Sequence, residues 1–122
     1  MSRKDSAISF LKMVANRDIR RAYELYIASE FIHHNQFFKG DRQSLLLAME
    51  EASRVNPHKV LSIKQAFEDG DTVITHSHVK QNPDDDGAAV VHIFRFKNDQ
   101  VVELWDVGQP IMRDSPNENG MF

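Results

Sequence analysis

Near the end of the chain Val102, Leu104 and Asp106 alternate with Val101, Glu103, Trp105 and Val107. Successive side chains of an extended strand point to opposite faces, so Asp106 follows two apolar residues on its own side. Desolvation penalises the charged form of a carboxyl group and can bring it toward the range where it exchanges protons near neutrality. Asp106 is therefore the leading candidate for acid/base chemistry. The competing reading is an aspartate that bonds a backbone amide or ends a strand in solvent.

Two further strands carry histidines. Along Thr72 to Lys80, Ile74, His76 and His78 share one face, and Val73, Thr75, Ser77 and Val79 share the other. Along Ala88 to Phe96, Val90, His92, Phe94 and Phe96 oppose Val91, Ile93 and Arg95. His76 and His78 stand about 7 Å apart by strand geometry and could hold a metal with His34 or His92 as a third ligand. No carboxylate accompanies them at a recognised ligand spacing, so hydrogen-bonding histidines of a pocket or an interface are the better reading and no metal is expected. The pocket face is then that of Asp106, His76, His78 and His92, lined also by Phe94, Leu104 and Tyr26; of His33 and His34, at a helix-to-loop junction, one points inward and the other outward. Trp105, on the side opposite Asp106, suits packing against a second subunit. Asp84-Asp85-Asp86-Gly87 lacks the later glutamate of a calcium loop and reads as a solvated turn. Arg17, Arg20 and Arg21 read as the outer face of a helix.

Helices come first and strands afterwards. Ile8, Leu11, Val14 and Ala15 recur at helical spacing between Ser6 and Asn16; Asp18 is placed to cap a second helix through Ile27; Asp41 caps a third that carries Leu45, Ala48, Met49, Ala52 and Val55 and ends at Pro57. From Val60 the period changes to two. Turns at Glu68–Asp71 and Asn98-Asp99 and a polar loop at Asn82–Gly87 separate strands ending near Phe67, running from Thr72 to Lys80, from Ala88 to Phe96, and from Val101 to Val107. The expected fold is α+β, with the N-terminal helices packed on one face of a curved, mostly antiparallel sheet.

A chain of 122 residues holds one core, so a single domain over 1–122 is expected. Fifteen Lys and Arg stand against eighteen Asp and Glu without a basic block, which argues against nucleic acid as a partner. The absence of cysteine excludes disulfides and thiolate chemistry. The N-terminal residues enter an amphipathic pattern without a continuous apolar run, so a cytoplasmic protein with no membrane contact is expected.

Several segments together carry a family resemblance: Phe31-Ile32-His33-His34-Asn35; Gly70-Asp71 followed by His76-Ser77-His78-Val79-Lys80; Val90-Val91-His92-Ile93-Phe94-Arg95; Trp105-Asp106-Val107-Gly108-Gln109-Pro110; and Asn119-Gly120-Met121-Phe122. In this order they resemble bacterial SnoaL-like proteins of the nuclear-transport-factor-2-like (NTF2-like) superfamily, predicted to be aldol-condensation or polyketide-cyclase-like enzymes. The resemblance implies a cone-shaped α+β barrel, usually dimeric, with a pocket between helices and concave sheet. It implies an acid at Asp106 that moves a proton in aldol ring closure, and a pocket-facing histidine in the His34-Asn35 segment, which selects His34 over His33. Two positions depart from the pattern: Leu104, where close relatives often carry His, and His92, where they often carry Asp. The expected chemistry is proton abstraction next to a carbonyl without a cofactor, with His34, His78 or His92 polarising the oxygen. The expected partners are a small hydrophobic or carbonyl-containing molecule and a second copy across the outer sheet face. The rival expectation is a small-molecule-binding or dimeric interaction protein without turnover.

Overall fold

In the computed structural model, which describes residues 1–122, the chain runs α1 (Arg3–Ala15), α2 (Ile19–Tyr26), β1 (Ile27–His33), α3 (Arg42–Val55), β2 (Val60–Asp69), β3 (Thr72–Lys80), β4 (Ala88–Lys97) and β5 (Gln100–Pro110). Helix α1 starts three residues before the expected Ser6 because of a reciprocal capping box. Ser2 Oγ accepts from the Asp5 amide, and Asp5 accepts from the Ser2 amide. Its buried stripe is Ser6, Ala7, Phe10 and Leu11. Asp41 caps α3 by accepting from the Ser44 amide, as expected, whereas Asp18 precedes α2 without a side-chain capping bond.

The second helix does not include Ile27. It passes directly into an unexpected strand, with Ile27 already extended at φ −103° and ψ 123°. That strand lies parallel to β5, and the sheet order is β1-β5-β4-β3-β2, the other three pairings being antiparallel. The sheet is therefore mixed and open, a curved half-cone with edges at β1 and β2 that does not close as a barrel. Irregular register between Ile63 and Gln65 and between Arg95 and Phe96 helps to bend it. Gly70 and Asn98 supply the left-handed turn conformations, at φ 60° and 57°, on which the two tight hairpins depend.

Between helices and sheet sits an aromatic core. Phe10 meets Tyr23 edge-on at 5.5 Å and Phe94 at 6.3 Å, while the Arg42 guanidinium lies 5.6 Å from the centre of the Tyr23 ring. Truncating a fully buried ring such as Phe94 to alanine costs about 3–5 kcal/mol, so this cluster is a main anchor of the sheet to the helices.

The ladder register decides which faces coincide. Thr75 pairs with His92 and His92 with Asp106; Val73 pairs with Phe94 and Phe94 with Leu104. These rungs face the helices. His76 pairs with Val91 and Val91 with Val107, and Ile74 pairs with Ile93 and Ile93 with Trp105. These face away. His76 and His78 thus stand on the outer face, opposite Asp106. Parity sorted β3 and β4 correctly, but on β5 the register shift sets Val101 opposite Phe96, so Val101 and not the expected Val102 joins Leu104 in the core; the alignment of one strand's faces with the next likewise belongs to the register.

Candidate acid/base site at the mouth of the half-cone

Asp106 is half-buried, and its Oδ2 accepts a hydrogen bond from Asn35 Nδ2 at 3.0 Å. Asn35 follows β1, which lies beside β5, and this adjacency carries its side chain to the carboxylate. The two residues line a cleft of about 700 Å³ with Gln36, Phe37, Gln81, Val90 and Gly108.

Across the ladder from Asp106 stands His92. Burial pushes its imidazole down to about 4, against a smaller upward pull from the negative charge of Asp106, so the ring is neutral at physiological pH. Its Nδ1 is buried without a partner, and the ring stacks on Phe94 at 5.9 Å. Further along the same rung Thr75 is fully buried, as is Ser77 two residues on, and both hydroxyl oxygens lack partners. Sequence reasoning had assigned these two to the opposite face from the histidines and gave them no role. Three orphaned polar atoms on one face are unusual, because each costs about 1–3 kcal/mol when left unmade. Burial also raises the Tyr23 phenol above its ordinary range; the Arg42 charge opposes that shift and the Asp106 charge adds to it. Phe94 and Leu104 share the Asp106 face and form its apolar part.

Other expected site residues lie elsewhere. His34 does not bond Asp106. It points outward at the rim of the cleft, stacks on Trp105 at 4.8 Å and bonds Glu103 at 2.7 Å. Glu103 also pairs with Arg95 at 2.8 Å, and His34 and Arg95 together hold its carboxyl below the ordinary range. The buried histidine of the pair is His33. Alternation along β1 explains the reversal: Phe31 and His33 face in, Ile32 and His34 face out. Read as a strand from the buried Phe31, this segment would have disclosed both His33 and Asn35. Tyr26 is also displaced from the site, its hydroxyl donating to Ser9 Oγ at 2.9 Å between α2 and α1.

On the outer face His76 Nδ1 pairs with Gln65 Nε2 at 3.1 Å, and His78 Nε2 with the Asp86 carbonyl at 2.8 Å. Phe122 lies over both rings, at 5.3 and 4.9 Å. A second cleft of about 710 Å³ opens there, beneath the C-terminal segment and away from Asp106, with His78, Lys80, Arg113 and Phe122 in its wall. No three His, Asp or Glu side chains gather as a possible metal site. No helix is long and apolar enough to cross a membrane.

No protein-family model matches the sequence, and no curated protein matches it. Solved structures match its fold. An NTF2-like protein of unknown function from Cytophaga hutchinsonii superposes with a TM-score of 0.74 at 13% identity, over 90% of this chain and 92% of its own. A proposed isomerase of the SnoaL-like family from Agrobacterium tumefaciens gives 0.72 at 11% identity, over 89% and 99%. IdmH from Streptomyces antibioticus, a proposed polyketide cyclase, gives 0.72 at 14% identity, over 89% and 93%. The chain has the NTF2-like fold, and SnoaL-like and polyketide-cyclase-like structures are among its structural neighbours.

Proposed function

We propose that this NTF2-like protein binds a small carbonyl-containing molecule in the cleft beside Asp106 and moves a proton at the carbon next to the carbonyl. The supporting observation is the setting of Asp106. One carboxylate oxygen is anchored by Asn35, and across the ladder stands a neutral histidine on an otherwise apolar and hydroxyl-bearing face. Asp106 takes the proton from carbon, and the bonding pair moves toward the carbonyl oxygen to give an enolate. His92 does not line the cleft, so its buried, unpartnered Nδ1 donates to that oxygen only where the substrate carbonyl enters the concave face, in the tautomer that protonates it. Return of the proton to another carbon is isomerisation, and attack of the enolate carbon on a second carbonyl is ring closure. Neither needs a cofactor, because one acid and hydrogen-bond donors in an apolar site suffice for such transfers. The proposed isomerase and proposed cyclase among the structural neighbours belong to these two classes.

The test is a screen of cyclic and open-chain carbonyl compounds, polyketide-like diketones included, with wild type and Asp106→Asn. Turnover confined to wild type supports the reading, and equal turnover removes Asp106 from the mechanism.

A second reading keeps the cleft as a binding site without turnover and lets the outer face join two copies of the chain. The observation that favours pairing is an exposed apolar stretch on that face, with Val107 64% and Ile74 40% accessible beside Trp105 and Ile93.

A further inference from the structure

We infer that His33 and Asn35 form a fixed relay that orients the Asp106 carboxylate, with His33 held as its Nε2–H tautomer. Both are positioning residues for the proton transfer, a role that rests on the function proposed above. The relay begins in the loop that follows β1. His33 Nε2 lies 2.7 Å from the Lys39 carbonyl oxygen, which can only accept, so Nε2 carries the proton. Nδ1 accepts the Asn35 amide at 3.1 Å, so it is bare. Two backbone partners of opposite kind thus assign the tautomer. The ring has little freedom to leave them. It is buried and stacked on Phe31 at 6.3 Å, and the His33 amide donates to the Gly40 carbonyl at 3.2 Å.

Asn35 is constrained just as fully. Its Oδ1 accepts the Phe37 amide at 3.0 Å, which leaves the NH₂ end for Asp106. Turning the carboxamide over would place a donor against a donor at Phe37 and an acceptor against the carboxylate. Asp106 therefore has Oδ2 engaged and Oδ1 without a protein partner, so Oδ1 is the oxygen offered to the substrate. The geometry transmits the position of the His33 ring to that oxygen through a backbone amide and a carboxamide, each with one allowed orientation.

Nuclear magnetic resonance on the intact, ¹⁵N-labelled chain tests this without a known substrate. Long-range ¹H–¹⁵N spectra at neutral pH should show His33 protonated at Nε2 alone; a proton on Nδ1 would overturn the relay, and this measurement needs no substitution. The Asn35 side-chain NH₂ resonances should move in Asp106→Ala. They should move comparably in His33→Leu. They should return most of the way in His33→Asn, whose Oδ1 can replace the Nδ1 acceptor. Unmoved Asn35 NH₂ resonances in a folded His33→Leu would also overturn it. With any carbonyl compound that wild type turns over, His33→Leu should lower kcat about 10-fold and leave KM within about 2-fold, the signature of misplacement rather than lost binding. A wild type that turns over no carbonyl compound would sink the proposed function, while the tautomer and the amide resonances would still decide the relay.

Discussion

His92 and Asp106 face one another across the β4–β5 ladder on the concave side of the sheet, a half-buried neutral ring opposite a carboxylate tied to Asn35. Their pairing concentrates the polar chemistry of this face on one rung, and it has a consequence for stability. The folded chain binds the His92 proton only near pH 4, whereas an unfolded chain binds it near the ordinary 6.5. Between those values the unfolded state takes up more protons, so stability is fully present above about pH 6.5 and falls as pH drops toward 4. The loss is on the order of 3 kcal/mol. Urea titrations of wild type and His92→Gln from pH 8 to pH 4 should show a steep decline in the first and a flatter one in the second. Parallel curves would mean that the ring is not held neutral by burial.

The unpartnered hydroxyls of Thr75 and Ser77 predict a gain in stability when one of them is removed. Thr75→Val keeps the shape and removes an orphaned oxygen, so it should raise stability by about 1 kcal/mol, or several degrees in Tm. Calorimetric unfolding of the two proteins reads this effect directly. A lower Tm in Thr75→Val would show that the hydroxyl is already satisfied.

On the outer face the Glu103 carboxyl is held below its ordinary 4.5 by bonds from His34 and Arg95. Its contribution to stability is therefore present above about pH 4.5 and is lost as pH falls below that value. Glu103→Gln should remove this low-pH decline. His34→Ala should cost less than about 1 kcal/mol at pH 7, because exposed pairs are worth little. Glu103→Gln should change binding at the cleft by no more than about 2-fold, because Glu103 does not line it, and His34→Ala, which removes a rim residue that does not bond Asp106, by less than about 10-fold. A loss of 10-fold or more in His34→Ala would restore His34 to the site.

If two copies join through the outer face, a charge placed at Val107, more exposed there than Ile74, should separate them. Val107→Glu should sediment as a monomer and keep the wild-type Tm within a few degrees, given the exposure of the side chain. Identical sedimentation of wild type and variant would remove that face as the interface.

Much of the architecture is legible in local chemistry. The Asp41 cap, the Gly70 and Asn98 turns and the switch of period at Val60 each rest on a few neighbouring residues, and each occurs where those residues place it. What is not legible is long-range. Strand β1 emerges from α2 with no turn between them, so His33-His34 reads as a helix-to-loop junction with one ring inward and one outward, and nothing local says that the inward ring is His33. The faces of β3 and β4 are related through a seven-residue loop, which does not impose a register as a two-residue turn does. Histidines drew attention to the wrong side of β3, although Val73, Thr75 and Ser77 are its fully buried residues. Asp106, His92, Phe94 and Leu104 were grouped correctly because they lie on two strands joined by the tight Asn98-Asp99 turn.

The central claim is that Asp106 exchanges a proton with carbon in this cleft. The most direct measurement is deuterium incorporation next to the carbonyl of bound ketones in D₂O, followed by proton resonance for wild type and Asp106→Asn at equal concentration. Wild type should accelerate incorporation into at least one ketone, and Asp106→Asn should reduce that acceleration by about 10²–10⁴-fold, the usual share of a positioned general base. Equal incorporation rates with the two proteins, for a ketone shown to bind the cleft, would contradict the account.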